Sequence, residues 1–321
     1  LPELTGARVD LADVKGQQFA KRALEIAAAG NHNLLFVGPP GTGKSMLARR
    51  MPGLLPKLSK AEALETAAVR SIAGSSLIAR EWRTRPFRAP HHTASAAALV
   101  GGGPRLSPGE ISRAHNGVLF LDELPEFNRT VLEGLREPLE TGSIAIARAG
   151  KHAVFPARFQ LIAAMNPCPC GYLGDSQSDC RCSGDRVTTY RNKVSGPLLD
   201  RIDLHVEVLR PSTDVLRGDG ADAERTESVA GRVADAWDIQ MQRSGIANSR
   251  LDGEQLKSAC ALDNECWSLL ESAADRFNLS ARAHQRVLRV SRTIADLARA
   301  KKIAPPHIAE ALSLRCLDRR V

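Results

Sequence analysis

The run Gly38-Pro39-Pro40-Gly41-Thr42-Gly43-Lys44-Ser45 fits GxxxxGK[ST] and follows the apolar stretch Leu34-Leu35-Phe36-Val37. Closely spaced glycines let successive backbone N–H groups face one anion. The lysine reaches its outer oxygens, and the serine hydroxyl suits a hard divalent cation. Together these parts are expected to bind the phosphates of a nucleotide with Mg²⁺. Further along, Val118-Leu119-Phe120-Leu121 ends in Asp122 and Glu123. A buried strand of an open α/β sheet delivers such groups to the ligand crevice. Asp122, with Ser45, is expected to organise Mg²⁺ and its water shell, and Glu123 to orient or deprotonate the attacking water. Acids at a strand end are often just a solvated turn, but the glycine-rich run nearby argues against that here. Phe159–Met165 ends in Asn166, a candidate sensor of the γ-phosphate, or alternatively a cap on the turn before Pro167.

Two arginines add cationic candidates. Arg201, in GPLLDRIDLHVEV, is either an ion-paired structural residue beside Asp200 and Asp203 or a finger given to a neighbour's γ-phosphate. Arg282 opens an arginine-rich helix that places Arg282, Arg286 and Arg289 on one face. It is expected to touch nucleotide from the lid side.

Cys168, Cys170, Cys180 and Cys182 offer two close pairs of thiols within a loop at 167–190. Soft thiolates in a set of four suit structural Zn²⁺. Free thiols, or disulfides formed on oxidation, are the other readings of that spacing.

Several elements must position these groups. Helices are expected at 16–29, with Phe19 on the apolar face, at 45–51, and at 59–71 with Ser59 and Glu62 as a capping box. Strands are expected at 33–37, 118–121, 159–165 and 205–209, and a hairpin at 143–149 with 152–159. Residues 82–113, rich in arginine and holding His91 and His92, read as inserted loops or a hairpin; either histidine could be purely structural. After a linker at 212–224 the pattern is helical at 225–244, 252–261, 263–275, 280–300 and 305–318, with Asp252 and Ser280 as caps. The fold class is therefore α/β, with a P-loop core on a parallel sheet over 1–211 followed by an all-helical lid over 225–321.

Composition agrees with that class. The chain has 321 residues, a net charge of +8, 43% hydrophobic and 4% aromatic residues, with seven cysteines. It has no membrane-length apolar run, and a reducing cytoplasm is the expected setting. The opening LPELTGARVD carries neither an initiator Met nor a signal-peptide layout, so the chain is expected to begin after another segment.

GPPGTGKS, GVLFLDELPEF, RPFRAPHHTASAAALVGGG, RFQLIAAMNPCPCG, GPLLDRIDLHVEV and the opening ADVKGQ together resemble the magnesium-chelatase-like branch of the AAA+ ATPases, over essentially the whole chain. The resemblance implies a homohexameric ATPase ring. In it Lys44 and Ser45 match the Walker A pair, Asp122 and Glu123 the Walker B pair, and Asn166 sensor 1. Arg201 matches the arginine finger and Arg282 the sensor 2 arginine. Within the branch the motifs are most similar to members acting in natural transformation. That implies a helicase driving branch migration on single-stranded and branched DNA, with recombination proteins as possible partners, and an absent Lon-like N-terminal domain. It also implies DNA contacts from an insert at 83–105 (Arg83, Arg85, Arg88) and from a hairpin at 143–158 (Arg148, Lys151). Ordinary surface placement suits Arg83, Arg85 and Arg88 equally well. Phosphate neutralisation is the physics expected there, since few aromatics are present to stack bases. The alternative is a chelatase-type chaperone that remodels a protein partner.

Overall fold

The computed structural model describes residues 9–75, 81–102, 106–148, 151–212, 215 and 223–318. Its strands are β1 (Leu34–Val37), β2 (Phe87–Arg88), β3 (Gly101–Gly102), β4 (Ser107–Pro108), β5 (Val118–Leu121), β6 (Ser143–Arg148), β7 (Lys151–Pro156), β8 (Gln160–Met165) and β9 (Leu204–Glu207). Five of them form one parallel sheet in the order β2-β5-β8-β1-β9. Every residue of β1, β5 and β8 is buried, as unbroken apolar strands require when both faces are covered. The polar exception, Gln160, gives its amide N–H groups to Ala27 O and His32 O at 2.8 and 2.7 Å. That pins the start of β8 to the end of helix Gln18–Gly30.

The 82–113 segment resolves into β2 at the sheet edge, helix Ala96–Val100, the two-residue ladder β3–β4 and helix Glu110–Arg113. The expected hairpin is β6 paired with β7 from Ser143↔Pro156 to Arg148↔Lys151. Helix Lys60–Ile72 carries the expected reciprocal box between Ser59 and Glu62.

Three local expectations change. The first helix begins at Gln18, because Gly16 and Gln17 both take positive φ, 65° and 57°. Phe19 is exposed, not packed. Asp252 makes no capping hydrogen bond, whereas Asp263 accepts from Cys266 N–H and caps helix Asn264–Phe277.

The C-terminal helices Thr226–Ser244, Ala281–Leu297 and Pro305–Ser313 pack with helix Gln18–Gly30 in one apolar cluster that also reaches β1 and β9. The chain then returns to the sheet: His205 N–H donates to Leu314 O at 2.7 Å and Cys316 N–H to His205 O at 3.0 Å. Residues 314–316 thus line the outer edge of β9 as a parallel bridge. Most of the expected linker lies outside the described residues. Among the described residues no helix is long and apolar enough to cross a membrane.

Candidate active site

The phosphate loop leaves β1 at Gly38, where a Cβ would sit 2.1 Å from Val208 O, so only glycine fits against the outgoing end of β9. Gly41 and Gly43 take φ of 77° and 93°, the left-handed region that wraps amides around an anion. Lys44, at the start of helix Lys44–Ala48, turns its ammonium inward onto Gly38 O, Pro39 O and Asn166 Oδ1 at 2.6, 2.8 and 3.2 Å. Burial pushes its pKa down to about 8, against the pull of Asp122 and Glu123. The ammonium is therefore a buried cation satisfied by weak neutral acceptors, and phosphate oxygens would serve it better. Ser45 Oγ–H donates to Asp122 Oδ2 at 2.5 Å, bringing together the hydroxyl and carboxylate that fit Mg²⁺ and its waters. Gln17, which sequence reasoning did not single out, gives its amide to Thr42 O and Leu209 O at 3.1 and 2.6 Å and braces the loop from outside. Its positive φ after a glycine is visible only in the structure.

Glu123 follows β5 with φ of 53°. Its carboxylate is half exposed and lies 3.1 Å from His92 Nδ1. His92 in turn stacks near His91, ring centroids 4.2 Å apart, and meets Phe127 edge-on. The insert after β2 thus holds the group expected to act on water. The adjacent histidines in the sequence were the only signal of this.

Arg201 lies elsewhere. Its carbonyl accepts from Asn33 Nδ2, just before β1. Arg201 therefore sits at the N-terminal end of the parallel strands, whereas the phosphate loop leaves the C-terminal end. It is buried and pairs with Glu140 and with Pro197 O, not with Asp200 or Asp203. Asp203 instead meets Arg286 at 2.5 Å. Burial raises its pKa, but Arg286, His32 and the amide of Asn33 hold the carboxyl well below the usual range. The arginine face of helix Ala281–Leu297 is thus partly spent inside: Arg286 on Asp203, and Arg289 on Leu251 O at 2.7 Å. Arg282 is exposed, one turn before the Arg286 that meets Asp203 at the start of β9.

The arginines expected to meet DNA are also largely engaged. Arg88 forks onto Glu110 at 2.6 and 2.9 Å. Arg85 serves Pro56 O and Asn116 O at 2.7 and 2.8 Å. Arg88 thus ties β2 to the start of helix Glu110–Arg113, and Arg85 ties the chain before β2 to its flanking segments. Arg83 gives Nε–H to Leu58 O at 2.6 Å and stays exposed. Arg148 and Lys151 face each other in register at the hairpin tip; their side chains, and residues 103–105 of the insert, lie outside those described.

The four cysteines converge. Cys168, which is fully buried, lies 3.4 Å from Cys170 and 3.6 Å from Cys180, with Cys170 to Cys180 also 3.6 Å. All four sulfurs fall within 4.8 Å of one another. Tetrahedral zinc with Zn–S of about 2.3 Å sets neighbouring sulfurs about 3.8 Å apart, so the cage fits it closely. All four cysteines are free thiols here. Amide N–H groups of Tyr172 and Arg181 bring Cys170 down to about 6. The loop reaches the phosphate site: a Cβ on Gly171 would come within 2.8 Å of Pro40 Cδ. Asp175, buried in the same loop, pairs with Arg210 beyond β9 at 3.1 Å.

Comparison with known proteins gives two family matches, "Magnesium chelatase, subunit ChlI" over residues 10–216 and its C-terminal counterpart over residues 223–315. The chain is 51% identical to the "Competence protein ComM" of Haemophilus influenzae over 97% of its own length and 61% of that protein. It is 48% identical to the uncharacterized protein YifB of Salmonella typhimurium over 98% of its own length and 62% of that protein. It is 24% identical to the magnesium-chelatase 38 kDa subunit of Cereibacter sphaeroides, over 94% and 89% of the two chains. A DNA replication licensing factor of Schizosaccharomyces pombe is 28% identical over 188 residues, 57% of this chain and 17% of that protein. The chain thus spans about three fifths of the first two relatives.

Proposed function

The chain belongs to the magnesium-chelatase ChlI family of AAA+ ATPases, and from that premise we propose that it is the motor module of a ring-forming DNA translocase that promotes branch migration. The observation that carries the ATPase half is the convergence of Lys44, Ser45, Asp122 and Asn166 on one loop, with Glu123 beside it. ATP would lie across Gly38–Ser45, with Mg²⁺ held by Ser45 and Asp122. Glu123 orients the attacking water and accepts its proton, and Asn166, whose Oδ1 accepts from Lys44, turns its amide N–H to the outermost phosphate.

Arg201 lies at the opposite end of the sheet from Lys44, and Arg282 stands one turn before the Arg286 that meets Asp203 at the start of β9. In a closed homohexamer Arg201 and Arg282 complete the site of the next subunit. The cysteine cage holds structural Zn²⁺ and stiffens the loop behind Pro40. DNA as the substrate is supported by the likeness to a competence protein and to a DNA replication licensing factor, and by a net charge of +8.

ATPase turnover with and without single-stranded DNA, at two salt concentrations, tests this. A DNA motor shows stimulation that declines with salt, because phosphate contacts release counterions. Turnover indifferent to DNA at both salts would refute it in favour of a chaperone that remodels a protein partner.

A further inference from the structure

Between the sheet and the C-terminal helices lies a cavity of about 130 Å³. Its lining includes Arg85, Arg158 and Arg250, with Glu62 as the one carboxylate, Asn116 and Trp237. We propose that this cavity is a receptor for a small phosphate-class oxyanion, distinct from the nucleotide site and independent of the reading above.

Placement comes first. Asn31, Gly117 and Gln160 also line the cavity. They stand at the entering ends of β1, β5 and β8, so the cavity faces away from Lys44. The three arginines come from three different parts of the chain. Arg85 precedes β2, Arg158 joins the β6–β7 hairpin to β8, and Arg250 belongs to the C-terminal region.

Charge comes second. Three guanidinium groups face Glu62 in the lining and Glu65, whose carboxylate accepts from Asn116 and attracts Arg158, which leaves an excess of one positive charge. Arg85 is the fixed wall: besides its two carbonyl acceptors it lies 3.5 Å from Glu62 and 5.7 Å from the centre of the Trp237 ring. Arg158 and Arg250 are exposed at the mouth. Among the described residues neither has a side-chain hydrogen bond or ion pair. The body of Arg250 is packed although its surface meets water: that packing and the charge of Arg158 lower its pKa, Glu62 opposes them, and Arg85 adds to the lowering. Arginine does not escape such crowding by losing its proton. A fold that gathers three permanent cations bears their repulsion until an anion joins them.

Geometry and size then select the ligand. Guanidinium forks match the oxygens of a phosphate group bidentately. The volume suits one tetrahedral oxyanion with a few waters, each needing about 30 Å³. It is well below the roughly 300–1,000 Å³ of pockets that take drug-sized molecules, which excludes a whole nucleotide. Once bound, the anion ties the hairpin base to the C-terminal helices through Arg158 and Arg250.

The test is calorimetric titration of the full chain with inorganic phosphate, in chloride of matched ionic strength, with the nucleotide site saturated by a non-hydrolysable ATP analogue. One saturable site is expected, weakened at least tenfold in Arg250→Gln and in Arg158→Gln. Both variants should melt no lower than the parent without phosphate, because each relieves repulsion. A short single-stranded oligonucleotide separates the sources. If it displaces phosphate from this site, a DNA backbone phosphate is the natural occupant; if it does not, the free anion is. No saturable site, or phosphate affinity unchanged in both variants, would overturn the proposal.

Discussion

Replacing Arg201 by Ala separates a structural role from one played across a subunit boundary. Within its own chain the Arg201 side chain makes two contacts, to Glu140 and to Pro197 O. Glu140 is 51% exposed, so its carboxylate returns to water when the guanidinium goes. The intrachain loss is then about 1–2 kcal/mol, a lowering of Tm by a few degrees at about 2–4 °C per kcal/mol. A finger on a neighbour's γ-phosphate is worth about 10³–10⁵ in turnover, or about 4–7 kcal/mol. The two figures are far enough apart to be told from one another. Arg201→Ala should bind ATP with near-parental Kd, melt slightly lower and lose nearly all turnover. Mixing it equally with Lys44→Ala creates interfaces that join an intact Arg201 to an intact Lys44. In random rings these are about a quarter of all interfaces, so about a quarter of parental turnover should return. Glu140→Gln, which removes only the local partner, should keep turnover. If a mixture shown by mass to contain both subunits stays at the level of Arg201→Ala alone, the trans role is wrong.

Glu123→Gln should retain ATP binding and slow turnover at least about a hundredfold, whereas Lys44→Ala should lose affinity; equilibrium binding beside turnover distinguishes the two. His92→Ala frees the carboxylate that the imidazole holds at 3.1 Å. Losing a hydrogen bond of about 1 kcal/mol should raise unstimulated turnover about fivefold without changing nucleotide affinity. Metal analysis of protein purified without added zinc should return close to one equivalent per chain, and Cys168→Ser should lose it and loosen the 167–190 loop before it affects chemistry. Burial, with the Arg315 charge beside it, lowers the pKa of fully buried His205 from 6.5 to about 3. Between those values the unfolded chain binds a proton that the folded chain refuses, so stability falls as pH drops below 6.5. The loss by pH 5 is about 2 kcal/mol, and His205→Leu should flatten that slope in urea titrations.

The nucleotide site was legible because its parts are local: a loop between strand and helix, acids at a strand end, an amide at another. β5 runs over the expected residues, since four consecutive buried apolar residues have no amphipathic alternative. β2 was hidden, because Phe87 and Arg88 sit between Pro86 and Ala89-Pro90 and pair at the sheet edge only through tertiary context. The partner of Arg201 was equally out of reach. Asp200 and Asp203 are its sequence neighbours, but Glu140 comes from 61 residues away. The partners of the arginine-rich segment were out of reach for a related reason. Composition registers the cations, while the carboxylate and carbonyls that absorb Arg88 and Arg85 come from elsewhere in the chain.

The return of residues 314–316 to β9 bears on where this chain can be cut. That segment covers the outer backbone edge of a short, largely buried strand. A fragment ending near residue 300, as the run of helices invites, would uncover that edge and the apolar floor against which Ile308, Ala311 and Leu314 pack. An uncovered parallel edge recruits other chains. Such a truncation should therefore self-associate through β9 into irregular aggregates, and its failure to form rings would say nothing about the surfaces that build them. Residues 314–316 are the selvedge of the sheet.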